Sequence, residues 1–73
     1  MDEKPLVTRL WKLYDEHADT QRIAHIPIHQ ACALLDEPMW RVYQARESLR
    51  WQKRIRIYPP LDKQSPLQIV LID

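Results

Sequence analysis

Basic side chains are concentrated in one short part of this chain, and they define the first chemistry to consider. Residues 41–56 carry a net charge of +5 and only one acidic residue, Glu47, whereas residues 1–40 sum to −3. Such a cluster gives a local electrostatic footprint for phosphate groups, although Lys and Arg also serve simply to solvate a helix and an edge strand. The excess is larger than solvation needs, so the pattern favours a polyanionic partner. The basic residues are Arg41, Arg46, Arg50, Lys53, Arg54 and Arg56.

A second group contains metal-ligand atoms. His25, His29 and Cys32 are close in sequence, but Pro27 lies between the two histidines and prevents them from sharing one helical face. No fourth ligand is nearby, and structural zinc sites are almost always four-coordinate. We therefore expect no metal and no other cofactor. The single cysteine cannot form an internal disulfide, which is consistent with a reducing compartment.

Catalytic patterns are weak. The chain has no glycine, so it cannot form a Gly-rich phosphate-binding loop. Ser48 and Thr8 lack an evident general base, and the acidic residues from Asp15 to Asp19 are typical of a solvated run rather than of a catalytic pair. We expect that the protein is not an enzyme.

The elements that position these residues follow from hydrophobic periodicity. Leu6, Leu10 and Leu13 repeat at helical spacing, and a later segment changes to alternation, with Ile55 and Ile57 between polar neighbours. The 73 residues are predicted to form one α+β domain, 1–73. We expect helices at about 5–17, 28–35 and 38–51, and strands at about 23–26, 53–58 and 67–72.

The junction at Asp36 decides the fold class. Cys32 is a small residue on the predicted second helix, Asp36 follows four residues later, and the β-branched Val42 comes ten residues after Cys32. This spacing and the element order resemble the winged helix-turn-helix superfamily, with three helices, a short strand and a C-terminal β-hairpin called the wing. The resemblance implies that Cys32 packs near Val42, and that Asp36 takes the left-handed conformation usual for glycine at the turn. The sequence departs from the pattern at Glu37, where an apolar residue is usual, and Arg46 stands close to an often apolar position.

The resemblance implies binding of double-stranded DNA, by a small transcriptional regulator, with the third helix in the major groove. If Val42, Ala45 and Leu49 point inward, Arg41 is placed to pair with guanine and Gln44 with adenine. The remaining basic residues are predicted to contact backbone phosphates from the far end of this helix and from the wing. They are Arg46, Arg50, Lys53, Arg54 and Arg56.

Two aromatic residues keep other interpretations open. Trp40 and Tyr43 are large for a DNA groove, and a surface of Met, Trp, Tyr and Arg is also typical of a protein-binding hot spot. The alternative function is therefore a winged-helix interaction module within a larger assembly. A third interpretation places Trp40 and Tyr43 in the core, beneath the wing.

Composition restricts the setting. The acidic N-terminal segment does not resemble a signal peptide, and no stretch approaches the length of a membrane span, so a cytoplasmic location and no membrane partner are expected. Small DNA-binding modules generally act as dimers. A homodimer is a further expectation, with the first helix as its candidate surface and Trp11 and Tyr14 at the margin.

Overall fold

The computed structural model describes residues 4–60 and 62–72, which form three helices and one three-stranded antiparallel sheet. The α+β class expected from the sequence is confirmed. In chain order the elements are α1 (Leu6–Glu16), β1 (Ile23–Ala24), α2 (Ile28–Leu35), α3 (Met39–Trp51), β2 (Ile55–Tyr58) and β3 (Gln68–Leu71).

Each helix begins directly after a proline. Pro5, Pro27 and Pro38 have φ between −70° and −54° and extended ψ values, and their carbonyl groups accept the first helical hydrogen bonds. Proline fixes φ near these values, and it needs no hydrogen-bond acceptor for a backbone N–H at a helix start. The proline rings therefore set three helix starts where side-chain caps are absent.

The sheet has the order β1-β3-β2, so the last strand in the chain is the central one. Ile23 pairs with Val70 on one side of β3, and Ile55 pairs with Leu71 on the other. β2 and β3 pair antiparallel and form the predicted C-terminal hairpin. β1 contributes only two residues, and Ala24 forms a further bridge to Ala18 on its outer side.

One core lies between the helices and the inner face of the sheet. Leu10, Leu13 and Tyr14 pack from α1, and Val42, Ala45 and Leu49 from α3. The α3 set and the pair Leu10 and Leu13 follow the helical spacing noted in the sequence, whereas Leu6 is only half-buried. The sheet adds alternate residues of its strands, Ala24, Ile55, Ile69 and Leu71, completing a core of twelve buried apolar side chains with Ile26 and Ala31 in the described part of the chain.

Only α2 has the predicted bounds, and the other elements are shorter than predicted: α1 and β3 each lack one residue at both ends, and three further bounds differ. Pro38 precedes α3 instead of starting it, β1 ends two residues early, and β2 begins at Ile55 rather than at residue 53. The last difference has a clear cause. Lys53 has φ = 60°, and Arg54 donates its backbone N–H back to Leu49 of α3 at 3.0 Å, so both residues belong to the turn that ends the helix.

Candidate functional site

The turn between α2 and α3 has the backbone conformation expected from the sequence. Asp36 lies in the left-handed region at φ = 54° and ψ = 47°. The N–H of Glu37 donates to the Cys32 carbonyl at 3.1 Å, and the N–H of Asp36 donates to the Ala33 carbonyl at 3.3 Å. This pair of bonds is a Schellman motif, in which the left-handed position usually holds glycine. The prediction for Asp36 is confirmed.

The small residue buried beneath α3 is not the one the sequence pattern indicated. Ala31 is fully buried, and so is Val42, whereas Cys32 is only half-buried at the margin of the core. Cys32 therefore packs against the core from its margin, and Ala31 takes the fully buried position. The cause is the rotation of α2, which turns Ala31 rather than Cys32 toward the centre of the core.

The outer face of α3 carries a stripe of four residues. Trp40, Gln44, Glu47 and Trp51 follow one another at intervals of four, three and four residues, so they lie on one side of the helix. Trp40 is 63% exposed and Trp51 is 78% exposed. Tyr43, at the edge of this stripe, is half exposed. The interpretation that placed Trp40 and Tyr43 in the core was wrong, because the opposite face of α3 already fills it.

Glu37, at the turn, forms ion pairs with arginines of two helices. Its two carboxylate oxygens accept hydrogen bonds from different arginines, Arg9 of α1 at 2.9 Å and Arg41 of α3 at 2.8 Å. The Glu37 side chain is only 14% exposed. One carboxylate thus joins α1 to the start of α3 at the place where the superfamily pattern has an apolar contact.

A second ion pair lies farther along α3. Arg50 donates from Nε and from one terminal nitrogen to the same oxygen of Glu47, at 3.2 and 2.8 Å. Glu47 therefore does not stand as an unbalanced negative charge on the outer face. The pair is exposed, and exposed pairs of this kind stabilise a helix by only about 0.3–0.5 kcal/mol.

Arg46 is turned away from the outer face. It follows Val42 by four residues and precedes Leu49 by three, which places it on the inward side of α3. Its guanidinium lies 4.8 Å from the centre of the Tyr43 ring, and its Nε is buried without a hydrogen-bond partner among the described residues. Arg46 was predicted to contact a phosphate, but it does not line the groove that Arg50, Lys53 and Arg56 share.

The basic residues after α3 separate into two groups. The Arg54 guanidinium lies 5.2 Å from the centre of the Trp11 ring, on the side of α1. Lys53 and Arg56 are exposed and form no ion pair with another described residue. With Arg50 they line an open groove of about 590 Å³ beside β2. Its lining holds these three cationic side chains and no acidic one.

The two aromatic residues of the expected dimer surface on α1, Trp11 and Tyr14, are not freely exposed. Tyr14 is 2% exposed and belongs to the core. Trp11 is half-buried, with the guanidinium groups of Arg22 and Arg54 both within 6 Å of its ring centre, at 5.9 and 5.2 Å. The two aromatic residues therefore stabilise the chain's own packing.

The histidine and cysteine side chains do not converge. His25 makes a hydrogen bond through Nε2 to the Asp19 carboxylate at 2.8 Å, outside the core. Asp19 also accepts the backbone N–H groups of Ile23 and Gln21, and these hydrogen bonds, the His25 bond being the strongest, hold the pKa of the Asp19 carboxyl below its usual range. Within residues 4–60 and 62–72, no three His, Cys, Asp or Glu side chains are placed to hold a metal ion together.

None of the helices in the described part of the chain combines the length and the apolar character that a membrane crossing requires. Comparison of the chain with protein-family models, with curated proteins and with solved structures gives no match. The candidate site is therefore defined by its own geometry: an accessible α3 face that carries Arg41 and Gln44 next to a groove lined by Arg50, Lys53 and Arg56.

Proposed function

We propose that this chain is a winged helix-turn-helix domain that binds double-stranded DNA through α3 and the β2–β3 hairpin. The observation that supports it best is the left-handed Schellman turn at Asp36, after which α3 buries one face and leaves the opposite face open to solvent. A helix that is accessible along a whole face, next to a basic hairpin, has the form needed to enter a major groove.

Arg41 and Gln44 are the proposed base-reading residues. Arg41 is paired with Glu37, but Glu37 keeps Arg9 as a partner at 2.9 Å when Arg41 moves toward a base. Arg41 is 47% exposed in this pair, which keeps its contribution on the order of 1 kcal/mol, and a bidentate Arg–guanine contact gives about 1–3 kcal/mol of discrimination against the wrong base. The two energies are of the same order, so the pair with Glu37 does not prevent Arg41 from turning to a guanine edge.

Arg50, Lys53 and Arg56 are the proposed phosphate contacts, because they line the same groove. Arg46 and Arg54, which the sequence also suggested, are left out of this revised set. Each of these two guanidinium groups lies against an aromatic ring of its own chain, Tyr43 for Arg46 and Trp11 for Arg54. They stabilise packing in this proposal, and Arg54 supplies a control.

The test is a salt titration of binding to a random-sequence duplex, followed by fluorescence anisotropy. Three neutralised phosphates give a slope of log K against log salt of roughly −2.7 for each bound chain. Arg56→Met should reduce the steepness by about 1, since one phosphate contact is lost. Arg54 is the residue just before β2. Arg54→Met also removes one positive charge, and it should leave the slope unchanged.

Three outcomes contradict the proposal: absence of binding at low salt, affinity that does not change with salt, or equal effects of Arg54→Met and Arg56→Met. The last would show that net charge alone attracts DNA, without the contacts proposed for the groove.

A second candidate function rests on the exposed aromatic residues of α3. Trp40, Tyr43 and Trp51 present apolar surface together, and Trp and Tyr are the residues most enriched in protein-binding hot spots. This alternative is an interaction module that docks α3 onto another protein. In a nuclease-treated extract, one defined partner should bind the wild type and Arg56→Met equally and be lost with Trp40→Ala. Loss with both variants, or with neither, contradicts it.

A further inference from the structure

A small pocket lies on the inward side of α3, away from the proposed DNA contacts. It is bounded by α1, the start of α2, α3 and the segment that leads into β3, and its volume is about 190 Å³. Its walls are mostly apolar. The lining residues used below are Tyr14, Ile26, Ile28, Arg46, Leu67 and Ile69.

Two residues that line this pocket carry hydrogen-bond donors without a partner. The Arg46 Nε is buried and has no acceptor among the described residues, and no described carboxylate forms an ion pair with its guanidinium. The Tyr14 side chain is almost fully buried, and its hydroxyl makes no hydrogen bond within the described part of the chain. Both residues line the same pocket.

Such an arrangement is unfavourable for the empty protein. A buried N–H without an acceptor costs free energy, and Arg46 is half-buried with its Nε in that state. The Tyr43 ring lies against the Arg46 guanidinium but offers it no opposite charge. An anion in the pocket supplies the compensation, since a carboxylate accepts two parallel hydrogen bonds from a guanidinium. The Tyr14 hydroxyl adds a third donor.

We propose that this pocket binds a small organic carboxylate, with the carboxylate on Arg46 and Tyr14 and the apolar body against Ile26, Leu67 and Ile69. The size is suitable, because an apolar cavity of about 150 Å³ in another protein accommodates benzene. Inorganic phosphate fits less well, since the walls offer it few further donors. The inference goes beyond DNA binding and does not depend on it, because neither Arg46 nor Tyr14 is a proposed DNA contact.

The state of Tyr14 agrees with a donor role. Burial raises the pKa of Tyr14 to about 12, against an opposing effect of the Arg46 charge, so the hydroxyl keeps its proton at neutral pH. A protonated hydroxyl can donate a hydrogen bond to an incoming anion, as the guanidinium can.

The experiment is an NMR titration of the full chain with benzoate, and with benzyl alcohol as an uncharged molecule of similar shape. Benzoate should shift the Nε–Hε resonance of Arg46 and the backbone resonances around Ile26 and Leu67. Arg46→Met retains an unbranched apolar side chain and removes the charge, and it should weaken benzoate binding at least tenfold. Arg54→Met also removes an arginine that lies on an aromatic ring, and should leave benzoate affinity unchanged.

Tyr14→Phe gives a second variant that keeps the ring and removes only the hydroxyl, with an expected smaller loss of affinity. A wild-type measurement is decisive even if the variants do not fold, because the Arg46 Nε–Hε resonance must respond to benzoate. The proposal is overturned if that resonance does not move up to the solubility limit. It is also overturned if benzyl alcohol binds as tightly as benzoate, or if a folded Arg46→Met binds like the wild type.

A further titration identifies the source of the carboxylate. A short peptide that ends in an aromatic residue with a free carboxylate is compared with the same peptide amidated at its C-terminus. If benzoate binds more tightly than the free-acid peptide, the natural ligand is a small metabolite. If the free-acid peptide binds more tightly, the ligand is the C-terminus of a protein. Equal binding of the free and amidated peptides contradicts a carboxylate site.

Discussion

The substitution Asp36→Gly tests the turn on which the candidate site depends. A non-glycine residue in the left-handed region costs about 1–2 kcal/mol, with Asp toward the lower end, whereas glycine gives up about 0.5–1 kcal/mol of additional backbone entropy. At φ = 54° the first effect is larger. We expect Asp36→Gly to raise the free energy of unfolding by about 0.5–1 kcal/mol, which corresponds to a rise in Tm of roughly 2–8 °C for a domain of this size.

Asp36→Ala is the matched control for this measurement. Both variants remove a carboxylate from the C-terminal end of α2, where the helix dipole disfavours negative charge, so that contribution is common to them. Only the alanine variant retains a Cβ in the left-handed conformation. Thermal and urea unfolding, followed by circular dichroism, should therefore show that Asp36→Gly is more stable than the wild type. Asp36→Ala should be no more stable than the wild type.

Equal stability of the glycine and alanine variants would refute this reasoning, because the strain at Asp36 would then contribute nothing. A lower stability of Asp36→Gly would show that the Asp side chain stabilises the turn through an interaction that the structure does not contain. In either case the support for the helix-turn-helix geometry would be lost.

Three more perturbations follow from burial and titration. Leu49→Ala removes a fully buried side chain and should cost about 2–5 kcal/mol in urea unfolding, whereas Leu34→Ala, at a site 56% exposed, should cost far less. Because the pKa of Tyr14 is raised to about 12, the neutral phenol contributes stability that is present below pH 10 and lost as pH rises toward 12; Tyr14→Phe should flatten that decline in alkaline urea titrations. The pKa of Asp19 is lowered, chiefly by the hydrogen bond from His25, so its contribution is present above the usual carboxyl pKa of 3.8 and lost as pH falls through the lower folded value. Asp19→Asn should make the unfolding midpoint less sensitive to acid, and an unchanged acid profile would contradict this.

The parts of the fold that the sequence predicted are those where local pattern and packing agree. Val42, Ala45 and Leu49 repeat at helical spacing and are all buried. The left-handed turn at Asp36 was implied by the resemblance of the Cys32, Asp36 and Val42 spacing to the winged helix-turn-helix superfamily. In both cases the signal lies within a few residues along the chain, so tertiary contacts had little left to decide.

The positions that sequence reasoning missed depend on contacts distant in sequence or on a choice between two apolar faces. Glu37 binds Arg9, which is 28 residues away, and no local pattern indicates that pairing. The outer face of α3 carries two tryptophans, so periodicity alone did not determine whether Trp40 was buried. The inward position of Arg46 could have been predicted, because Arg46 lies four residues after Val42 and therefore on the same side of α3.

The central position of β3 has a consequence for the order of folding. β1 and β2 do not pair with each other, and each reaches the sheet only through β3. The ladder between Ile23 and Val70 therefore closes a long stretch of chain, at an entropic cost that the short hairpin does not share. Hydrogen exchange should be slower in the hairpin than in the Ile23 ladder, because the two-residue strand is the one whose detachment leaves the rest of the domain intact.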